Sequence, residues 1–72
     1  MTELPEMTPV ASSSLAEVGY DHDTLYVVFV SGLVYRYFMV PQRVYAALLA
    51  APSHGQYFNE LVRDHFPSER LR

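Results

Sequence analysis

The sequence predicts a small α+β domain in which a three-stranded antiparallel β-meander precedes two short helices packed on one sheet face. Residues 13–40 are rich in β-branched and aromatic residues and are interrupted by two short turns. After Pro41, apolar residues recur at helical spacing. The chain has only 72 residues, which is the length of a single domain.

The two ends of the chain are predicted to lie outside the folded part. Residues 1–12 hold Pro5 and Pro9 among polar and acidic residues, a composition typical of a disordered leader. The domain is expected to span residues 13–67, and residues 68–72 are expected to form a frayed stub.

The first strand is predicted over residues 14–20. Gly19 interrupts its pattern, which indicates a bulge or a close approach of another backbone. Residues 21–23 then form a polar turn, since Asp side chains stabilise turns through their own backbone. The other two strands, residues 24–30 and 33–40, form a hairpin around Ser31 and Gly32.

The hairpin turn decides which side chains share a face. A two-residue loop would pair Val30 with Leu33, whereas a three-residue loop ending at Gly32 would pair Phe29 with Leu33. We predict the second register, because glycine adopts the left-handed conformation which that loop needs. One face then carries Leu25, Val27, Phe29, Leu33, Tyr35 and Tyr37.

The opposite face of the hairpin is apolar as well. It carries Tyr26, Val28, Val30, Val34, Arg36 and Phe38. Two helices cover only one face, so either the leader or a second copy of the chain must cover this one. An apolar patch of this size exceeds what monomers expose, which predicts a homodimer interface. The interface residues would be Tyr26, Val28, Val34, Arg36 and Phe38.

Arg36 lies among these apolar residues and has two interpretations. It contacts a phosphate group, or it pairs with an acid across the strand or across a dimer interface.

Two helices follow the sheet. Pro41 suits the first helical position, and a helix over residues 42–51 ends before Pro52. Ser53 is a candidate cap for a second helix over residues 56–65. Its predicted inward side chains are Phe58, Leu61, Val62 and His65.

Composition excludes several function classes. Without cysteine there are no disulfides, no thiol catalysis and no cysteine-based metal sites. The histidines lack metal-ligand spacing, and Ser53 and His54 are adjacent, which prevents them from acting as nucleophile and base. We therefore expect no enzyme activity, no metal and no cofactor. Apolar runs are too short to cross a membrane and no secretory signal is visible, which predicts a cytoplasmic protein without a membrane partner.

The charge argues against sequence-independent nucleic-acid binding. The chain has five arginines, no lysine and a net charge of −3, whereas such binding usually requires a basic surface. RNA contact would have to depend on a few arginines and on aromatic stacking.

Two groups of residues are candidates for binding. Ser53 and Gly55 precede a helix N-terminus suited to an anion, and Asn59 and Arg63 share a helix face four residues apart. The alternative is that they only cap the helix and hold it to the sheet. Tyr35 and Tyr37 share a strand face, where they either stack on bases or pack beneath the helices.

The order of several short motifs resembles the KTSC domain, found at the C-terminus of some lysyl-tRNA synthetases and as small bacterial proteins. The matching motifs are Ser13-Ser14, Val18-Gly19-Tyr20-Asp21, Leu25-x-Val27-x-Phe29, Gly32, Tyr35-Arg36-Tyr37, Val40-Pro41, Val44-Tyr45, Ser53-x-Gly55, Tyr57-Phe58-Asn59 and Arg63. The resemblance covers residues 13–67 and implies an RNA-binding role. Two hypotheses follow: a module that binds RNA or a nucleotide-like anion, and a protein-interaction or self-association module that uses the outer hairpin face.

Overall fold

The computed structural model describes residues 4–72 and shows an α+β fold. Its elements are β1 Met7–Pro9, β2 Leu15–Asp21, β3 Thr24–Phe29, β4 Val34–Tyr37, α1 Gln42–Ala50, α2 His54–Leu61 and β5 Ser68–Arg70. The strands form one antiparallel sheet in the order β1-β2-β3-β4-β5. The predicted class is confirmed, but the predicted number of three strands is wrong.

The two additional strands come from the segments expected to be a leader and a frayed stub. Thr8 of β1 pairs with Val18 of β2, and Glu69 of β5 pairs with Arg36 of β4. Each strand is only three residues long, too short to show an alternating pattern, and Pro9 is tolerated because β1 is an edge strand. Both segments therefore form strands only because they hydrogen-bond to longer neighbours, β1 to β2 and β5 to β4. Residues 1–3 of the expected leader lie outside the described residues.

The central hairpin has the predicted three-residue loop. The Phe29 N–H donates to the Leu33 carbonyl at 2.9 Å, and the Gly32 N–H donates to the Phe29 carbonyl at 2.9 Å. Gly32 has φ +96°, a conformation that favours glycine. In this register Tyr35 pairs with Val27 and Tyr37 with Leu25, so the predicted inner face is confirmed.

Gly19 matches one of its two predicted alternatives, whereas the end of β4 differs from the prediction. A β-carbon at Gly19 would lie 3.0 Å from the Glu6 carbonyl oxygen, which is the close approach of another backbone, and the bulge in β2 lies between Leu15 and Glu17. β4 ends at Tyr37, three residues early, because Met39 adopts φ 59° and turns the chain away from the sheet. The turn from β2 to β3 lies within the predicted segment.

Both helices are shifted relative to the prediction. Pro41 is the N-cap of α1 and not its first helical residue. α2 begins at His54, and Ser53 caps it as predicted by accepting a hydrogen bond from the Gln56 N–H at 3.3 Å. Because α2 ends at Leu61, two of the four residues predicted to face inward, Leu61 and His65, are exposed. The other two are buried.

The hydrophobic core lies between the helices and one sheet face, as predicted. Leu48 of α1, Phe58 of α2 and Val62 after α2 pack with the inner residues of β2, β3 and β4. The fully or nearly buried members are Leu15, Val18, Leu25, Val27, Tyr37, Val40, Leu48, Phe58 and Val62.

The outer sheet face is largely covered from within the chain. A side chain at Gly19 would overlap Met7 and lie 3.1 Å from Pro5, so the N-terminal segment packs directly on this glycine. On the other side, the last two residues hydrogen-bond to the backbone of Val34, which is 1% exposed. The structure thus favours the first of the two alternatives, coverage by the chain's own N-terminal segment.

Because of this coverage, the residues predicted to form a homodimer interface are less exposed than expected. Tyr26 and Val34 are buried, while Val28 and Phe38 are half-buried. Arg36 pairs with Glu69 of β5, with 2.7 Å between Nε and Oε1, and its guanidinium lies 5.2 Å from the centre of the Phe38 ring. Of the two interpretations of Arg36, the structure shows the pairing with an acid across the strand. Val30 of the predicted outer face is 60% exposed, so the apolar surface that suggested a homodimer is reduced and the homodimer stays a prediction.

Adjacent leucines of α1 provide a test of the core. Leu48 is fully buried and Leu49 is 37% exposed. We expect Leu48→Ala to lower the free energy of unfolding by about 2–5 kcal/mol, because it leaves a cavity under both helices. Leu49→Ala is the matched control and should cost less than about 1 kcal/mol. Urea denaturation measures both, and equal losses would contradict this position of α1.

Candidate ligand-binding site

A cleft of about 510 Å³ lies between the region around α2 and the inner face of the sheet. The sheet contributes Tyr35 and Tyr37, while Asn59 and Arg63 come from α2 and the segment after it. Four of the six predicted binding residues therefore line one cleft. Its volume is within the range of about 300–1,000 Å³ that is typical of ligand pockets.

Four aromatic rings form one wall of this cleft in a closed cycle of contacts. Phe29 contacts Tyr35 edge-on at 5.8 Å between ring centres, and Tyr35 stacks beside Tyr37 at 6.3 Å. Phe58 of α2 closes the cycle edge-on, at 5.4 Å from Tyr37 and 5.6 Å from Phe29. Such edge-on and offset contacts are the favourable geometries for aromatic pairs. We call these four residues the aromatic wall.

Tyr37 belongs both to the core and to the cleft. Its side chain is only 4% exposed, yet within residues 4–72 its hydroxyl makes no hydrogen bond. The hydroxyl is not sealed off, since no side-chain polar atom of these residues is both inaccessible and unpaired. It therefore faces the open space of the cleft. Burial raises the pKa of Tyr37, Tyr35 and Asp64 add to the increase, and Arg63 opposes it.

The charged groups of the cleft follow directly after α2. Arg63 and Asp64 are both exposed and both line the cleft. The Arg63 N–H donates to the Phe58 carbonyl at 2.9 Å, which fixes the backbone of this segment against the end of α2. A cation and an acid thus stand at the opening of a pocket with an aromatic wall. Asp64 was not among the predicted binding residues.

The other two predicted residues, Ser53 and Gly55, line a second cleft of about 480 Å³ at the N-terminus of α2. Asn59 and Ser14 line both clefts, so the two are neighbours along one side of α2. All six predicted residues consequently lie along one continuous surface. The packing interpretation of Tyr35 and Tyr37 is confirmed, because both rings pack against the core. They also line the cleft, and stacking on bases stays a prediction.

Sequence reasoning missed the serine loop that faces Gly55, which we define as residues 12–14. The Ser12 hydroxyl accepts hydrogen bonds from the Ser14 and Leu15 N–H groups, each at 3.2 Å. A β-carbon at Gly55 would lie 2.7 Å from Ser14 Oγ, so any larger residue would require the Ser14 side chain to move. The run of three serines was the available signal, because serine side chains readily cap their own backbone.

His54 takes part in holding the two helices together. Its Nδ1 lies 2.8 Å from the Leu48 carbonyl oxygen of α1.

Across residues 4–72, no group of three or more His, Asp or Glu side chains comes together in a way that could hold a metal ion. In the same part of the chain, neither helix has the length and apolarity needed to cross a bilayer.

This fold is shared with known proteins. The KTSC domain family matches residues 11–66. In crystal form, the KTSC domain protein from Yersinia pestis superimposes with a TM-score of 0.89 at 29% sequence identity, covering 93% of this chain and 97% of that one.

Sequence relatives are of two kinds. A protein of Tsukamurella paurometabola is 40% identical over 67 residues, which is 90% of this chain and the whole of the relative. An uncharacterised protein of Stutzerimonas stutzeri is 48% identical over 54 residues, or 72% of this chain and 76% of the relative. A lysine–tRNA ligase of Nostoc punctiforme is 48% identical over 48 residues, which is 67% of this chain but 9% of the ligase.

The close approach of Gly55 to the serine loop can be tested by a double-mutant cycle. Alanine in a helix interior is normally about 1 kcal/mol more stable than glycine. Here we expect Gly55→Ala to destabilise the protein, because its β-carbon overlaps Ser14 Oγ. In a Ser14→Ala background the same change should cost at least about 0.5 kcal/mol less. Urea denaturation of the four proteins measures this coupling, and a coupling of zero would refute the contact.

The raised pKa of Tyr37 predicts how stability depends on pH. A phenol with a higher pKa in the folded protein holds its proton when the unfolded chain has lost it. Its stabilising contribution is present below about pH 10, the ordinary tyrosine value, and is lost as the pH rises through the folded pKa. Tyr37→Phe should therefore lose less stability than wild type between about pH 9 and 11. Urea unfolding of both proteins across this range measures how the free energy of unfolding depends on pH. If this free energy falls equally steeply with pH in both, a buried, titrating Tyr37 is contradicted.

Proposed function

Because the chain belongs to the KTSC domain family, we propose that it is a small non-catalytic module that binds single-stranded RNA in the cleft with the aromatic wall. The observation that carries this proposal is the Tyr37 hydroxyl. It belongs to a side chain that is 4% exposed, finds no hydrogen-bond partner within the described part of the chain, and faces the cleft beside Arg63. A partly buried polar group without a protein partner is costly unless a ligand or water supplies the bond.

The aromatic wall fits a nucleobase. Tyr35 is half-buried and lies at the cleft surface, so one of its faces is available for stacking. Base-on-aromatic stacking contributes about 1–3 kcal/mol per base and does not depend strongly on the base. Arg63 at the opening supplies a guanidinium, whose flat fork of donors suits a phosphate.

The relatives support RNA as the ligand class. Some are lysine–tRNA ligases, enzymes whose name gives tRNA as their substrate, and this chain aligns with a 48-residue part of them. A cytoplasmic location is part of the proposal, since RNA is available there. The net charge of −3 restricts the proposal to a local contact, because a long nucleic acid would be repelled by the protein as a whole.

The outer sheet face provides a weaker basis for the alternative of self-association. Val28 and Phe38 are only half-buried, but Tyr26 and Val34 are buried within one chain, and Arg36 is paired with Glu69. The apolar area available to a second copy is therefore smaller than the sequence suggested, and the cleft supports binding better than this face does.

An NMR titration with a short single-stranded RNA at low salt tests the proposal. We expect amide shifts at Ser14, Tyr35, Asn59 and Arg63 that fade as salt is added. Tyr35→Leu should weaken binding by about 5- to 100-fold, which corresponds to one lost stacking contact.

Tyr57→Leu is the matched control, because Tyr57 is equally half-buried but lies outside the cleft. It should bind like wild type. The absence of shifts at low salt would exclude RNA as the ligand, and equal losses in both variants would exclude this cleft. Concentration-dependent shifts at Val28 and Phe38 without RNA would instead support self-association.

A further inference from the structure

We propose that the cleft recognises one nucleotide and does not follow the RNA strand beyond it. This inference rests on the proposed function and specifies its ligand: a single nucleotide unit, free or at an accessible position of an RNA. Three features of the cleft lead to it: its closed aromatic wall, the unpartnered hydroxyl of the buried Tyr37, and Arg63, its one arginine within residues 4–72.

The aromatic wall has room for one base. Its four rings contact one another in a cycle, and two of them, Tyr37 and Phe58, are at most 4% exposed. The other two, Tyr35 and Phe29, are half-buried, but their ring planes are nearly perpendicular, at 87°, so they cannot stack on successive parallel bases. Proteins that bind along a strand use a series of exposed rings, one for each successive base. One stacking surface, that of Tyr35, within about 510 Å³ fits one base with its sugar.

The Tyr37 hydroxyl is placed to contact the polar edge of that base. The ring lies beside Tyr35, at 6.3 Å between centres and 23° between planes. A base stacked on Tyr35 therefore brings its edge toward the neighbouring tyrosine. The hydroxyl both donates and accepts hydrogen bonds, which suits base edges that carry donors and acceptors. Asn59 lines the same cleft with an amide of the same dual character.

The charges of the cleft fit one phosphate. Arg63 is the only arginine among the cleft-lining residues in the described part of the chain, and Asp64 beside it repels further phosphates. The neighbouring cleft with the serine loop adds no arginine within that part. Arg36 lies on the opposite sheet face, where it is paired with Glu69. A second phosphate of a bound strand would therefore find no further arginine among the described residues of either cleft.

The experiment compares a 5′-mononucleotide with a single-stranded RNA octamer of the same base, using isothermal titration at several salt concentrations. We expect the affinity per nucleotide of the two ligands to agree within about threefold, since linked units gain affinity only when several bind together. For the octamer, log K should fall with log salt with a slope of about −0.7, the value for one neutralised phosphate on a single strand.

Variants assign these contacts to residues. Arg63→Gln should abolish the salt dependence, whereas Arg43→Gln on the exposed face of α1 should leave it unchanged. Tyr37→Phe should weaken mononucleotide binding by roughly two- to tenfold through the loss of one hydrogen bond. Tyr57→Phe is the matched control for removal of a tyrosine hydroxyl and should bind like wild type.

The outcomes separate this inference from the proposed function. An octamer that binds more than about tenfold tighter per nucleotide, with a slope of −2 or steeper, overturns the single-nucleotide site but leaves RNA binding in place. Normal binding by Tyr37→Phe overturns the role of the hydroxyl. Failure of both ligands to bind at low salt overturns the proposed function itself, and this inference with it.

Discussion

The pairing of Phe29 with Leu33 across the turn that ends at Gly32 determines which hairpin side chains face α2. Side chains alternate between the two faces of a strand, so a shift of one residue would move every one of them to the other face. In the observed register Phe29, Tyr35 and Tyr37 meet Phe58. Both the packing of α2 and the aromatic wall therefore depend on this one turn.

Tyr37 shows how the same side chain contributes to stability and to a site. Its ring is part of the core, where phenylalanine would pack equally well and would avoid an unpaired hydroxyl. The hydroxyl contributes no hydrogen bond to the fold within the described residues. Because this hydroxyl is open to the cleft, a ligand or water there can supply its hydrogen bond, which is why the proposed site is centred here.

Much of the fold and of the site follows from the sequence, and the errors have physical causes. Gly32 predicts the register because a three-residue loop needs positive φ at the glycine alone, whereas a two-residue type I′ turn would also need it at Ser31. Ser53 predicts the start of α2, but nothing in the sequence reveals that Met39 adopts φ 59° and ends β4 early. β1 and β5 were missed because three-residue strands depend on their neighbours and have no pattern of their own.

The six predicted binding residues illustrate the same limit. Periodicity places Tyr35 beside Tyr37 and Asn59 beside Arg63, but sequence spacing does not show that the two pairs line one cleft. That juxtaposition depends on how α2 packs across the sheet, a long-range contact. The serine loop was assigned partly to the leader for a similar reason, since its closeness to Gly55 appears only once α2 is in place.

The distribution of the arginines reconciles an acidic protein with an anionic ligand. Long-range attraction of a polyanion requires a net positive surface, which a chain with a net charge of −3 lacks. Over a few ångströms, however, the nearest groups dominate because salt and water screen the distant ones. Arg36 is engaged by Glu69, and Arg63 lines the cleft. The protein as a whole therefore disfavours long nucleic acids, while one guanidinium at the opening of an aromatic pocket remains suited to a single phosphate.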